Sequence, residues 1–321
     1  TISYNYTNRN YNRFIVTSSV KHQSEKLKLS FDAFLENDNK NAPLSLNLSK
    51  EDEQILANAG NNQDLMYAPS AVITEYDVNK ILYKLVQNPQ GNYYEFSTDK
   101  AETLYNVSFT YFGIGKGDYQ LKQSTNNGRV FEFVGAGNGD YSALRKLPSP
   151  QKSQVFSTSA EYTFNKGKIG GDFSLSNYDV NLFSSKNNDQ NTGFAGRIFG
   201  NKIFTKNNWN GTVGAEFQRI SSQFHILDRI NDVEFSRDFN LTQEFNQITQ
   251  NRLIFSFLNQ RKNNNFINYK LNYLNEKQSY NGIKNDLDFK FLKKNTETRG
   301  NLSYLNTTSD FQDTQFARGN V

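Results

Sequence analysis

The chain has 321 residues, a formal charge of +4 and no cysteine; this excludes disulfide staples and thiolate metal sites and leaves no basic footprint for nucleic acid. Hydrophobic residues make up only 36%, yet aromatic residues reach 14%, with 27 Phe and 18 Tyr, too many rings for a disordered chain. A mean hydropathy of −0.75, with no run near 18 apolar residues, excludes a helical membrane span; a transmembrane barrel escapes that test because alternate residues of its strands are polar.

Three regions follow one another. The first, residues 1–36, reads as strands. Thr1-Ile-Ser-Tyr-Asn-Tyr6 is already strand-like and carries no signal-peptide pattern. In Leu27–Leu35, the residues Leu27, Leu29, Phe31, Ala33 and Leu35 share one face, while Lys28, Ser30 and Asp32 share the other. That period of two specifies a strand.

The second region, residues 37–152, changes character. Ser49 followed by Asp52 three positions on is a capping-box pattern, and it predicts a short helix over Lys50–Asn58 ending at Gly60. All five prolines (Pro43, Pro69, Pro89, Pro148, Pro150) fall here or at its edge. Proline removes a ladder donor that lipid cannot replace, so this stretch is expected outside the bilayer. It also holds a repeat. Tyr111-Phe-Gly-Ile-Gly-Lys-Gly-Asp-Tyr119 resembles Phe133-Val-Gly-Ala-Gly-Asn-Gly-Asp-Tyr141, each after a short strand (105–112 and 129–134), predicting two similar β-arches. The glycines have the wrong spacing for a dinucleotide fingerprint, and no helix follows them. Turns with positive φ are the better reading. Asp118 and Asp140 recur at equivalent places. One carboxylate per copy is thin for calcium, so each is expected to cap its own turn, with Tyr119 and Tyr141 packed behind.

The third region, residues 153–321, has the strongest alternation. Phe156, Thr158, Ala160, Tyr162 and Phe164 share a face up to the turn 165–167; Ile169, Gly171, Phe173 and Leu175 continue it on a strand over 168–183, with a phase slip near Asn177. Strands over 194–205, around Val213, Ala215 and Phe217, around Ile267–Tyr273, and around Leu287–Phe291 obey the same rule. Their expected length, about 9–16 residues, reaches what a tilted bilayer crossing needs and exceeds the usual globular strand of about 5–6. Short connections (165–167, 206–210, 261–265) mix with long polar ones (184–193, 228–240), as in bacterial barrels. Phe164, Phe183, Phe194, Trp209 and Phe266 near strand ends are candidates for an aromatic girdle. Glu161, Glu216, Arg219 and Arg252 are candidate lumen charges that bias permeation or pair with one another. The C-terminus, Phe316–Val321, lacks a closing strand that ends in an aromatic residue, so the barrel is expected to continue beyond the chain end.

Catalytic raw material is scarce. The two histidines, His22 and His225, lie far apart in sequence, and no nucleophile elbow or Walker loop occurs. No catalytic, cofactor-binding or metal residue is expected; a rim hydrolase would need a Ser–His pair, for which His225 is the only plausible candidate.

Phe96-Ser-Thr-Asp99, Leu104-Tyr-x-Val-Ser-Phe109, Gly128-Arg-Val-Phe-Glu132, Gly137-Asn-Gly-Asp-Tyr141, Leu147-Pro-x-Pro-x-Lys152, Ser176-Asn-Tyr-Asp-Val-Asn-x-Phe-Ser184 and Glu234-Phe-Ser-Arg-Asp-Phe239 resemble a group of large, poorly characterised outer-membrane proteins of Bacteroidota. The Asn, Lys, Ile, Phe and Tyr bias suits an AT-rich flavobacterial genome. The resemblance implies location and architecture, and no reaction. The expectation is therefore an all-β chain: an antiparallel transmembrane β-barrel with an extramembrane, mostly-β insertion containing one short helix. Its expected role is non-enzymatic, as a pore, transport or assembly scaffold in the bacterial outer membrane. Its expected partners are the lipid bilayer and other envelope proteins engaged through 37–152. The alternative is a soluble secreted or phage-borne adhesin.

Overall fold

A computed structural model describes residues 13–39, 48–89, 91–228, 230–241, 248–261, 265–277 and 279–321. The strand expected over Thr1–Tyr6, and Pro43, lie outside them. The protein is mostly antiparallel β, with 60% strand and two short helices. It divides into two compact units: Thr1–Asn39 with Gln151–Asp179 and Asn187–Val321, and Lys40–Pro150 with Val180–Lys186.

The first unit is one eleven-stranded sheet whose order follows the sequence: Arg13–Gln23, Leu27–Asp38, Lys152–Phe164, Gly167–Asp179, Thr192–Lys206, Trp209–Ile220, Gln250–Arg261, Phe266–Glu276, Tyr280–Lys293, Thr296–Ser309 and Thr314–Asn320. Every neighbouring pair is antiparallel, and Leu27–Asp38 pairs directly with Lys152–Phe164 across the insertion. The first ten strands run 11–15 residues and the last 7. The sheet is open among the described residues: Arg13–Gln23 and Thr314–Asn320 are its two edges, so the closure expected of a barrel is not observed.

A meander of this kind sends alternate connections to opposite ends of the sheet. The connections 24–26, 165–166, 207–208, 262–265 and 294–295 all fall at one end, and 39–151, 180–191, 221–249, 277–279 and 310–313 at the other. The tight turns carry the left-handed residues such a reversal needs: Lys166 (φ 64), Asn207 (φ 48), Asn208 (φ 67) and Lys294 (φ 52). All three long excursions of the chain begin and end at strand ends on the opposite side of the sheet from these turns.

The register turns period two into two chemically different faces. Opposed residues share a face, so one row reads Val20, Phe31, Thr158, Phe173, Gly196. Others read Gly171, Ile198, Phe217, Leu253, Tyr273, Ile283 and Val213, Phe257, Tyr269, Leu287, Leu302. This face is open: Val20 is 63% exposed, Ile169 58% and Ile198 65%. Where a glycine interrupts it, an aromatic ring covers the gap, as Phe204 does over Gly211 and Phe289 over Gly300. The opposite face reads Lys21, Ser30, Ser159, Asp172, Arg197, Gln218, Arg252 in one row and Lys28, Glu161, Gly170, Phe199, Glu216, Ile254, Asn272, Lys284 in the next.

The second unit begins with the helix Lys50–Ala59. Ser49 Oγ accepts from the Asp52 N–H at 3.2 Å, and the Asp52 carboxylate accepts from the Ser49 N–H at 3.0 Å, completing the predicted box; Gly60, with φ 64, ends the helix. Its apolar side, Leu56 and Ala59, packs on Met66, Ala68 and Leu147. Val180 and Phe183 join this core. They belong to the segment Val180–Lys186, whose residues up to Phe183 the sequence assigns to the end of a strand; the strand stops at Asp179 because its next apolar residues are used here. Asn181, fully buried, donates to Leu56 O at 2.7 Å and Gly60 O at 2.8 Å, satisfying carbonyls the helix end leaves open.

The glycine repeat forms a pseudo-symmetric pair. The strands Tyr119–Thr125 and Gly128–Phe133 pair as a hairpin, with the short strands Tyr141–Ser142 and Thr110–Tyr111 alongside. Gly113, Gly115, Gly135 and Gly137 have φ of 110, 67, 106 and 71, as the turn reading requires. Gly117 and Gly139 bridge each other, and a Cβ on either would strike the backbone of Tyr141 or Tyr119. The aspartates depart from expectation. Asp118 Oδ1 accepts from Gly137 N–H and Asp140 Oδ1 from Gly115 N–H, both at 3.1 Å, so each caps the other copy's turn. Behind them, Phe109 stacks on Phe131 at 4.6 Å and meets Tyr119 edge-on at 4.8 Å. Burial pushes the Tyr119 hydroxyl up to about 12, although the Tyr94 N–H donates to its oxygen at 2.8 Å.

Candidate functional site

The chemistry of the first unit gathers on the polar face and on the connection 221–249, part of which folds back over that face. Charges on adjacent strands lie opposite one another and pair. Lys168 Nζ is 2.8 Å from Glu161, which also faces Lys28 at 3.5 Å. Arg197 holds Asp172 at 2.6 Å and reaches Glu216 at 3.9 Å. Lys284 sits 2.9 Å from Asp238 and 3.3 Å from Asp286, and Arg318 lies 3.7 Å from Asp238.

Asp238 belongs to the returning connection. There the short helix Phe235–Asp238 places Phe235 and Phe239 one turn apart, so both rings project to one side. They bury Leu274, Leu305 and Tyr280, apolar residues of the otherwise polar face. Tyr280 Oη donates to Phe239 O at 2.6 Å. Five buried apolar groups, each contributing about 1.5–3 kcal/mol, hold this part of the connection against the sheet. Sequence reasoning took 228–240 as a polar external loop. The signal that would have found the contact is the Phe235/Phe239 spacing inside an otherwise polar stretch.

Nearer the start of the connection, His225 stacks on Tyr178 with ring centroids 3.8 Å apart and planes within 10°. Burial holds its imidazole below the usual histidine range, with the Glu36 carboxylate opposing weakly. The one contact recorded between His225 and a serine is its backbone N–H donating to Ser176 Oγ at 2.9 Å, so the imidazole is a stacking group here. Gly193 admits this approach, since a Cβ there would strike the backbone of Gln223 and Phe224. His22 opposes Leu29 on the apolar face, far along the sheet from His225.

Of the predicted lumen charges, Glu161, Glu216 and Arg252 do share the polar face. Arg219 does not. It lies in line with Val213, Ala215 and Phe217 on the apolar face, at the strand end, where it donates to Asn251 Oδ1 at 3.1 Å and lies 6.0 Å over the Phe194 ring. Strict alternation from Phe217 would have placed it there. Of the girdle candidates, Phe164, Phe194 and Trp209 occupy strand ends on the apolar face. Phe266 opposes Gln260 and Lys290 on the polar face, and Phe183 packs in the second unit.

Arg252 differs from the other cations of this face. Its nearest polar contact is Asn272 Oδ1 at 3.4 Å, and its guanidinium lies 4.9 Å over the Phe235 ring. Its Nε is buried without a hydrogen-bond partner. It borders a cavity of about 450 Å³ between the sheet face and residues 224–228 and 230.

Comparison with protein families, characterised proteins and solved structures found no match to this chain. What the fold itself defines is an antiparallel all-β protein whose long sheet is apolar on one face and ion-paired on the other.

Proposed function

We propose that this chain is a non-enzymatic component of a bacterial outer-membrane β-barrel, acting as a pore, transport or assembly scaffold. On this reading the apolar face meets lipid, the polar face lines the lumen, and residues 40–150 stand outside the bilayer as an interaction module for other envelope proteins. The carrying observation is the continuous apolar face, still open to solvent, on strands of 11–15 residues. A soluble protein rarely leaves so large an apolar surface uncovered, and a tilted strand crosses a bilayer in about 9–11 residues. The emergence of all three long connections from one end of the sheet supports it, as do Phe164 and Trp209 at the other end of the apolar face.

The test is extraction and electrophoresis. The protein should require detergent for monodispersity and should migrate faster on a gel unheated than boiled. A monodisperse protein in aqueous buffer, with Phe173 and Ile198 protected from solvent by a second sheet, would overturn the reading in favour of a soluble adhesin.

A further inference from the structure

We infer that the cavity bounded by Phe224, Ile226, Leu227, Ile230 and the polar face of the sheet binds a small organic anion that carries an apolar body, with Arg252 as its anion-binding group. Two deficits in the structure point to such a ligand. The first is electrostatic. Arg197, on the neighbouring strand, has its guanidinium engaged by Asp172 and Glu216, whereas among the described residues no carboxylate lies within 4 Å of Arg252. A half-buried guanidinium with one face on Phe235 and a buried, unpartnered Nε gains by turning to present two parallel N–H donors to a planar anion.

The second deficit is apolar. Ile226, Leu227 and Ile230 line the same cavity and remain 43%, 46% and 41% exposed, while Phe235 and Phe239 of the same connection are buried. The connection therefore leaves one apolar cluster satisfied and one open, and the open one borders the unpaired cation. A cavity of about 450 Å³ lies within the range of small-molecule sites. A cationic ligand fits less well, because Asp172 and Glu216 are already held by Arg197, and Asp228, the third carboxylate of the lining, also has a partner of its own. The inference rests on the loop and the polar face alone, and it stands whether the apolar face meets lipid or protein.

The probe is 3-phenylpropionate, with its uncharged amide as the control, titrated by calorimetry against the whole chain and corrected for partition into empty micelles. Saturable binding of the acid, at least tenfold tighter than the amide, is expected. Arg252→Met should weaken the acid at least tenfold and leave the amide unchanged. Leu227→Asp, at an exposed position, should weaken the acid by placing a carboxylate in the cavity, and it keeps the question open to test should Arg252→Met not fold. In the wild type, the Arg252 Nε resonance should move on adding acid and stay still on adding amide. Equal affinity for acid and amide, or no saturable binding up to roughly 10 mM, overturns the proposal. So does undiminished binding in a folded Arg252→Met protein.

Discussion

Replacing Ile198 with arginine separates the membrane reading from every aqueous alternative. Ile198 is the seventh residue of the strand Thr192–Lys206, close to its middle, and lies between Gly171 and Phe217 on the apolar face. It is 65% exposed, so if that face met water the substitution would be an ordinary surface change worth within about 0.5 kcal/mol. At the midplane of a bilayer, arginine on the lipid face of a barrel costs about 2–4 kcal/mol. That is a shift of roughly thirty- to a thousandfold in the folding equilibrium, since about 1.4 kcal/mol corresponds to a factor of ten. The matched control is Asn268→Arg, on the polar face opposite Asp288, where the new charge gains a partner. Each protein would be refolded into phosphatidylcholine vesicles and unfolded with urea, followed through the single tryptophan, Trp209, and the unheated gel band. The expected result is a lower midpoint for Ile198→Arg alone. Equal midpoints for the two variants would refute the assignment of that face to lipid.

Three further outcomes follow from local geometry. Gly117→Ala and Gly139→Ala each drive a Cβ into opposing backbone, so each should destabilise the second unit by more than about 2 kcal/mol, read as faster proteolysis within 100–145 while the eleven-stranded sheet stays protease-resistant. Burial alone would raise the Asp52 carboxyl; Arg145, at 2.6 Å, and the Ser49 N–H outweigh it and hold the group below its usual value. A depressed carboxylate stabilises fully above the unfolded value near 4 and loses that contribution as pH falls through the folded value, so Asp52→Asn should flatten the acid limb of the thermal stability of this unit. Phe239→Ala removes a ring that is 2% exposed, at a cost of about 3–5 kcal/mol, and should open the connection 230–241 to protease with the sheet intact.

Strand positions in the first unit are legible because apolar and polar side chains alternate along them: Phe156 to Phe164 and Ile169 to Leu175 can be laid out by counting in twos. The helix Lys50–Ala59 was equally legible, since a capping box is a local signal. What local pattern cannot carry is partner choice. Asp118 and Asp140 sit in identical words, and nothing in either word says that each carboxylate caps the other copy. Val180 and Phe183 look like strand residues because they are apolar, and only the helix packing them shows where they go. Arg219 was misplaced for a different reason: its charge was allowed to override its phase, although Phe217 two residues earlier fixed its face.

The distribution of charge on the polar face leads back to one residue. The cluster of Lys28, Glu161 and Lys168 carries one net positive charge, and the cluster of Asp172, Arg197 and Glu216 carries one net negative charge. The two lie in neighbouring rows of the sheet and cancel at any distance beyond a Debye length of about 8 Å. Lys284, Asp286, Asp238 and Arg318 are neutral as a group. Once these pairs are removed, Arg252 stands out among the described arginines of this face: no carboxylate lies within 4 Å of it. Leaving such a group half-buried carries a free-energy cost, because its desolvation is not returned by an ion pair. A structure that tolerates this at one position, beside a cavity and uncovered apolar side chains, carries the deficit in its unliganded form and recovers it when an anion binds. Arg252→Met should therefore raise the stability of the ligand-free sheet or leave it unchanged, while the same change at Arg197 should lower it. A folding equilibrium in which both variants lose stability equally would show that Arg252 is a structural ion like its neighbour.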